Sequence, residues 1–309
     1  MNIFYLLIFP GFLFLSVYGM ICEWVDRKLY AKMQNRVGPP FYQPLADTFK
    51  LFAKEDISPE GADKLIYKFA PIISVAAVLT SVLYIPIWKN NAIFSFEGDL
   101  IVVVYLLTIP TLTFFLGGWS SSSPFASIGS VRVMTQLFAY EVPLLVSVLG
   151  PAILAGTWSI SGIAKYFSQN PELLVINIIG FVVSLIALQG KLERIPFDIP
   201  EAETELAGGT FAEYSGKLLA LFRLTTDIEM VVVASLISAI FLGGSFGAYG
   251  ISGLLIFFIK TLIIVFILAL IKTALARLRI EQMVLFCWKY LIPFALVQIL
   301  INIIVKSIM

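Results

Sequence analysis

The chain has 309 residues, 59% hydrophobic and only 13% charged, with 21 Lys and Arg against 20 Asp and Glu and no histidine. A soluble chain carries roughly 25% charged residues, whereas a mean hydropathy of +0.94 and repeated apolar runs near the ~20 residues needed to cross hydrocarbon define an all-α, polytopic integral membrane protein. A net charge of +1 leaves no footing for nucleic acid, and with only Cys22 and Cys287 the chain has no ligand set for a four-cysteine iron–sulfur cluster, a His-bound haem or a usual zinc site.

Eight spans are predicted, over residues 3–22, 69–88, 100–119, 133–156, 173–189, 218–243, 251–275 and 284–305, within a single domain covering 1–309. The apolar runs are too long for the alternating strands of an outer-membrane barrel. The first span has no basic flank before it and no small-residue cleavage site, so it is expected to be retained. It ends in Glu23-Trp24-Val25-Asp26-Arg27-Lys28, and Arg36-Val37-Gly38-Pro39-Pro40 follows as a rigid turn. Between Pro44 and Lys54, Leu45, Phe49 and Phe52 share one helical face while Asp47, Lys50 and Lys54 fall elsewhere, which predicts a short amphipathic helix at the membrane interface or beneath a partner.

The fourth span carries Glu141, next to Tyr140 and two residues before Pro143. A carboxylate at that depth is costly and must face the bundle interior, pair with a cation or hold a proton. Pro143 lacks an N–H, so the carbonyl of Ala139 loses its helical donor and becomes free to hold water. Glu141 is therefore a candidate proton or ion relay, the alternative being an interhelical hydrogen bond. After the fifth span comes a polar loop with six carboxylates between Lys191 and Glu213: Glu193, Asp198, Glu201, Glu203, Glu205 and Glu213. Asp198-Ile199-Pro200-Glu201 reads as a helix start that accounts for some of these acids, with Glu201 and Glu205 then on one face. The remainder point to a polar funnel leading toward Glu141, or to a salt-bridged docking surface. In the sixth span Arg223 and Asp227 stand four apart and can pair, close to Glu229. In the seventh, Lys260 is a buried-cation candidate and Lys272 can snorkel to the surface.

Basic residues set the orientation. The loops 23–68, 120–132, 190–217 and 276–283 hold 14 Lys and Arg, and the opposite side only Lys89, Lys165 and Lys306. The polar loops are thus expected in the cytoplasm and both termini outside. No internal repeat is visible, so the inverted-repeat signature of many secondary transporters is missing.

These motifs resemble the membrane subunit at the junction of respiratory complex I and of energy-converting membrane-bound [NiFe] hydrogenases (the complex I subunit 1 family). The resemblance covers nearly the whole chain and rests on Arg36-Val37-Gly38-Pro39, Gln43-Pro44-Leu45-Ala46-Asp47, Lys54-Glu55-Asp56, Tyr140-Glu141-Val142-Pro143, Pro196-Phe197-Asp198-Ile199-Pro200-Glu201-Ala202-Glu203, Glu213-Tyr214-Ser215-Gly216, and Arg277 to Gln282 followed by Trp288-Lys289. It implies a tilted eight-helix bundle that anchors a peripheral redox arm and carries no redox centre of its own, making it a non-catalytic part of an oxidoreductase complex. Glu141 then matches the family's buried channel glutamate. Glu201, Glu203, Glu205 and Glu213, with Asp198, Asp227 and Lys260, are the expected relay. Arg27, Arg36, Asp47, Lys191, Arg194, Arg277, Arg279 and Glu281 are the expected contacts to the junction and partners.

Two positions depart from the quinone-reducing branch. Lys191 stands where that branch typically has Glu, five residues before Pro-Phe-Asp, and Phe211 stands where it has His, two before Glu-Tyr-Ser. The Gly-Pro loop after Arg36 is also shorter. With the Ala207-Gly208-Gly209-Thr210 run, these look more like the ferredoxin-linked branch of membrane-bound hydrogenases and sulfur reductases. The implied partners are a [NiFe]-hydrogenase-like large subunit, an Fe–S small subunit, antiporter-like and small membrane subunits, and ferredoxin indirectly. The metal sites lie on those partners and none on this chain, which sits in the cytoplasmic membrane of a prokaryote and couples electron transfer to H+ or Na+ translocation. The alternatives are the quinone-chamber subunit of an NADH/quinone oxidoreductase and, from another class, a stand-alone secondary transporter.

Overall fold

The computed structural model describes residues 3–201 and 203–308, with the side chains of Ile3, Glu203 and Thr204 outside that description. All regular structure among these residues is helical. In chain order the helices are α1 (Ile3–Leu7), α2 (Phe12–Met33), α3 (Gln43–Phe52), α4 (Lys64–Val82), α5 (Asp99–Ser120), α6 (Pro124–Ala155), α7 (Ile160–Gln169), α8 (Ile178–Lys191), α9 (Glu203–Leu206), α10 (Gly216–Phe241), α11 (Ile251–Ala274), α12 (Ile280–Phe286) and α13 (Ile292–Ile308). A 3₁₀ segment, Pro171–Asn177, leads into α8, and a π turn, Cys287–Leu291, joins α12 to α13.

Eight helical stretches are long and apolar enough to cross a membrane, matching the expected count. Their bounds shift in ways that matter for the site. The first stretch runs on to Met33, so Glu23, Asp26 and Arg27 stand on helix rather than loop. The second begins at Lys64 and stops at Val82, before the expected 69–88 window ends; Asp63 caps its N-terminus by accepting from Leu65 N at 3.1 Å. The fourth begins at Pro124, nine residues before 133, with proline at its first position. Glu141 consequently sits near the middle of a 32-residue helix.

α10 is the hub: 89% of its most apolar 18-residue window is buried within the chain, against 22% for the last stretch, Ile280–Ile308. It packs on α2, α4, α7 and α11, so a charge on its inner face is shielded from lipid by neighbouring helices rather than by snorkelling. The outer helices expose the apolar faces that lipid solvates, among them Leu255 and Ile259 on α11 and Leu300 and Ile304 on α13.

α3 forms as predicted. Its apolar residues Leu45 and Phe49 are exposed while it rests on α2 and α10. The Asp198–Glu201 stretch does not start a helix; it is a turn, and α9 is a single turn of four residues, Glu203–Leu206. The chain is held there by Gly209, which lies in the left-handed region at φ +55° and leaves a Cβ no room, only 1.8 Å from the carbonyl oxygen of Pro200. The adjoining Thr210 is wedged between α5 and α6, where Gly118 and Gly129 let the turn approach to within 2.6–2.7 Å of where a Cβ would stand.

Candidate functional site

Where α2, α3, the α8–α9 loop and α10 meet, the helices enclose a polar chamber of about 370 Å³. Carboxylates and cations from all four elements line it. On α2, Glu23 and Arg27 stand one turn apart and pair at 2.5 Å, and Arg27 reaches Asp47 of α3 at 3.2 Å. Arg194, from the loop, bridges back to α2 with ion pairs to Glu23 and Asp26, both 3.2 Å. Asp26, 1% exposed, also takes Lys272 of α11 at 3.0 Å, so Lys272 turns inward rather than snorkelling. A carboxylate this buried is retained only because two cations hold it.

Glu201 faces the chamber and pairs with Arg223 at 3.1 Å. Arg223 therefore does not pair with Asp227 along its own helix as the i,i+4 spacing allowed; Asp227 lines the chamber together with Asp198 and Glu193. Desolvation by the chamber wall, then the carboxylates of Glu201, Glu229 and Asp198, opposed by Arg223, push the Glu193 carboxyl well above the usual 4.5. The folded chain thus keeps this proton to higher pH than the unfolded chain does. The contribution of Glu193 to stability is full below about pH 4.5 and is lost as pH rises through the folded-state value. Glu193→Gln is accordingly expected to raise the unfolding midpoint in detergent at about pH 7.5 and to have no effect near about pH 4. A midpoint gain that is the same at both values would contradict this sign.

The chamber reaches the membrane interior through Lys191. This residue ends α8, where three contacts fix it. Gln136 of α6 donates to the Gly190 carbonyl at 2.6 Å, Gln189 donates to the Leu268 carbonyl at 2.6 Å, and a Cβ at Gly190 would meet Tyr140 at 3.1 Å. So held, Lys191 is 3% exposed and pairs with the fully enclosed Glu229 of α10 at 3.0 Å. It also donates to the Leu107 carbonyl and sits 5.9 Å from the Tyr140 ring. Lys191 lines the chamber and also a second, small, mainly apolar cavity of about 10 Å³. Glu141 lines the second cavity, and its buried Oε2 accepts no hydrogen bond among the described residues. That volume is about the size of a single water. Tyr140 next to it is anchored by Thr111, its hydroxyl 3.0 Å from Thr111 Oγ1.

Several expected assignments change. Lys191 is not on a partner surface; it is the internal link between chamber and Glu141, because α8 ends inside the bundle. Lys260 is remote from the chamber. Its ammonium donates to the carbonyls of Leu242 and Gly244, both at 2.5 Å, and lies 3.4 Å from the Phe246 ring centre, closing the C-terminal end of α10. Glu213 does not line the chamber; its backbone carbonyl accepts from Tyr67 at 2.8 Å. Glu205 does not share a face with Glu201. It points outward and pairs with Arg132 at 2.7 Å, because α9 is too short to carry a common face. The Glu203 side chain lies outside the described residues. Arg36 is exposed on its loop, and Arg277, Arg279 and Glu281 line a separate groove with Arg132. Glu229 and Asp26 stand in the site without belonging to the expected relay or contact residues. The signal for Glu229 is an acid at the head of the long apolar run from Met230 to Phe241, and for Asp26 a helix that continues past the apolar window.

An eight-span helical bundle with a carboxylate-lined chamber leading to one buried glutamate defines the class, a polytopic membrane subunit with an internal chain of charged groups. A family model described as NADH dehydrogenase matches residues 5–303, and the chain belongs to that family, the subunit 1 proteins of complex I. It is 33% identical over 304 residues to a membrane subunit of the NADH-quinone oxidoreductase of Dehalococcoides mccartyi, covering 96% of this chain and 85% of the relative. It is 35% identical over 294 residues to the corresponding NADH-quinone oxidoreductase subunit of Brevibacillus brevis, covering 92% and 87%. Among solved structures it is similar to a chain of the membrane-bound sulfane sulfur reductase, an archaeal respiratory membrane complex, with a TM-score of 0.84, 29% identity and coverage of 94% and 96%.

Proposed function

We propose that this chain is the membrane anchor and coupling subunit of a ferredoxin-linked, complex I-like respiratory complex, a membrane-bound hydrogenase or sulfur reductase, that links electron transfer to H+ or Na+ translocation. The observation that carries the reading is the buried Lys191–Glu229 pair set between the chamber and Glu141. A charge change or movement at the chamber alters the field on that pair, and the pair alters the proton or ion affinity of Glu141. The chamber faces the cytoplasm in this reading, under the peripheral subunits that hold the Fe–S clusters and the [NiFe] site or its remnant, and the far side of Glu141 faces antiporter-like subunits.

The choice of branch is supported by Phe211. It is buried in a ring cluster, with centroids 5.2 Å from Phe114 and 5.1 Å from Phe222, where a polar quinone headgroup finds no hydrogen-bond donor. The full-length likeness to the sulfur reductase chain points the same way. The second reading, a quinone-chamber subunit, is favoured by the names of the curated relatives and by a chamber of about 370 Å³, a volume within the usual range of ligand sites. Purification in mild detergent by a tag on this chain, with mass spectrometry of its companions and assay with reduced ferredoxin and with NADH plus quinone, separates the two. Co-purification of a [NiFe]-type large subunit, an Fe–S subunit and antiporter-like proteins, with turnover on ferredoxin, is expected. Turnover on NADH and quinone alone would move the quinone reading to the front, and a stable, transport-competent single chain would overturn both.

A further inference from the structure

A second feature lies on the opposite flank of the α8–α9 loop, apart from the chamber and from Glu141. α6 and α12 run side by side from the same end of the bundle, and the groove between them divides sharply by polarity. Its outer end is a pocket of about 400 Å³ lined by Arg132, Arg277 and Arg279, with Glu205 and Glu281. Its inner end is a larger recess of about 530 Å³ lined almost wholly by apolar and aromatic side chains from α5, α6, α12 and the π turn, including Trp119, Phe138 and Trp288.

The two pockets are continuous along both helices. Arg132 stands three residues before Thr135 of the recess on α6, and Glu281 three residues before Val284 on α12, spacings that place each pair on one helix face. The π turn Cys287–Leu291 carries Trp288 at the groove wall, where it is 54% exposed; Trp119 across the groove is 59% exposed. Tryptophan with one apolar and one polar side is characteristic of the headgroup level of a membrane.

Charge is in excess at the outer end. Glu205 neutralises Arg132 at 2.7 Å, while Arg277 and Arg279 form no ion pair among the described residues. Arginines at the mouth of an apolar groove between transmembrane helices, on the side richer in basic loops, match the chemistry that selects anionic phosphate headgroups.

We propose that the α6–α12 groove is a binding site for one anionic phospholipid, its phosphate on Arg277 and Arg279 and its chains in the recess walled by Phe138 and Trp288. Arg132 and Arg277 also donate to the Ile199 carbonyl, at 3.4 and 3.5 Å. Ile199 directly follows Asp198 of the chamber, so the bound headgroup braces the back of the loop that forms the chamber wall.

The test is a photocrosslink. Benzoylphenylalanine replaces Phe138 in the full-length chain, purified with whatever subunits accompany it and placed in nanodiscs of equal phosphatidylglycerol and phosphatidylcholine. Illumination is expected to yield an adduct with phosphatidylglycerol at about tenfold excess over phosphatidylcholine, and the Arg277→Gln/Arg279→Gln chain is expected to lose most of that excess. Equal labelling of both lipids would overturn the proposal, as would an excess that the double substitution leaves unchanged. An adduct with another polypeptide would show a protein partner in the groove and overturn it equally. Should the double substitution fail to fold, Arg279→Gln alone is read in the same assay. Arg279 makes no side-chain hydrogen bond or ion pair among the described residues, its backbone N–H alone donating to Gln282, and the same loss of preference is required of it.

Discussion

Lys191→Met is expected to lower the stability of the chain in detergent by about 3–5 kcal/mol, the cost of leaving one member of a buried ion pair without its partner. Glu229 is 1% exposed and its carboxylate has Lys191 at 3.0 Å as its ion-pair partner. Methionine fills most of the lysine stem's volume, so the loss comes from the charge and not from a cavity. The double substitution Lys191→Met/Glu229→Leu removes both charges and is expected to recover the stability, since replacing a whole buried pair with apolar groups is often neutral or stabilising. It is not expected to recover ion translocation in vesicles, because the link between chamber and Glu141 is gone. Unfolding midpoints and translocation measured on the same three chains separate the two effects. A Lys191→Met chain as stable as the parent would show that Glu229 has another partner. A double variant that translocates normally would remove the pair from the path.

Glu141→Gln is expected to leave assembly and redox turnover within about twofold of the parent while ion translocation falls by a factor of about 10² or more, the usual cost of deleting a proton-transfer group. Glutamine keeps the size and hydrogen-bonding reach of glutamate but can neither carry charge nor exchange a proton. The small cavity it shares with Lys191 is therefore preserved while its relay chemistry is lost. Glu141→Asp retains the group but shortens its reach by one methylene, and an intermediate rate is expected. Redox-driven translocation of normal stoichiometry in the Gln variant would sink the relay and leave Glu141 as an interhelical hydrogen-bonding group. The same measurement bears on coupling. A chain that turns over without pumping is uncoupled, whereas one that stops turning over shows that the redox step waits on Glu141.

Span number, membrane class and the family were legible in the sequence because each rests on local or contiguous signals. Apolar runs of fixed length report a membrane crossing whatever packs beside them. Motifs such as Tyr140-Glu141-Val142-Pro143 are read residue by residue, and the family match over residues 5–303 agrees with them. The depth of Glu141 and the amphipathic face of α3 followed from the same kind of signal. Partner choice among charges was not legible. Sequence spacing favoured Arg223 with Asp227 and Glu201 with Glu205, yet Arg223 found Glu201 and Glu205 found Arg132, because ion pairs are set by which helices meet.

The largest shift concerned Lys191. By position it belonged to a polar loop, and a loop lysine is ordinarily a surface group. It becomes the interior link because α8 stops inside the bundle, where Gly190 lets it press against Tyr140 and where Glu229 arrives from α10, a helix 89% buried along its apolar window. Lys260 moved the opposite way: mid-span in the sequence, it is spent on the backbone carbonyls that end α10. The sequence by itself determined that costly charges lie within the membrane, since hydropathy registers each charge one residue at a time. Only the tertiary structure decided which of them form a path, since the energy of a buried charge depends on the distance to its counter-charge and on the loss of water around both, and both are fixed by helix packing.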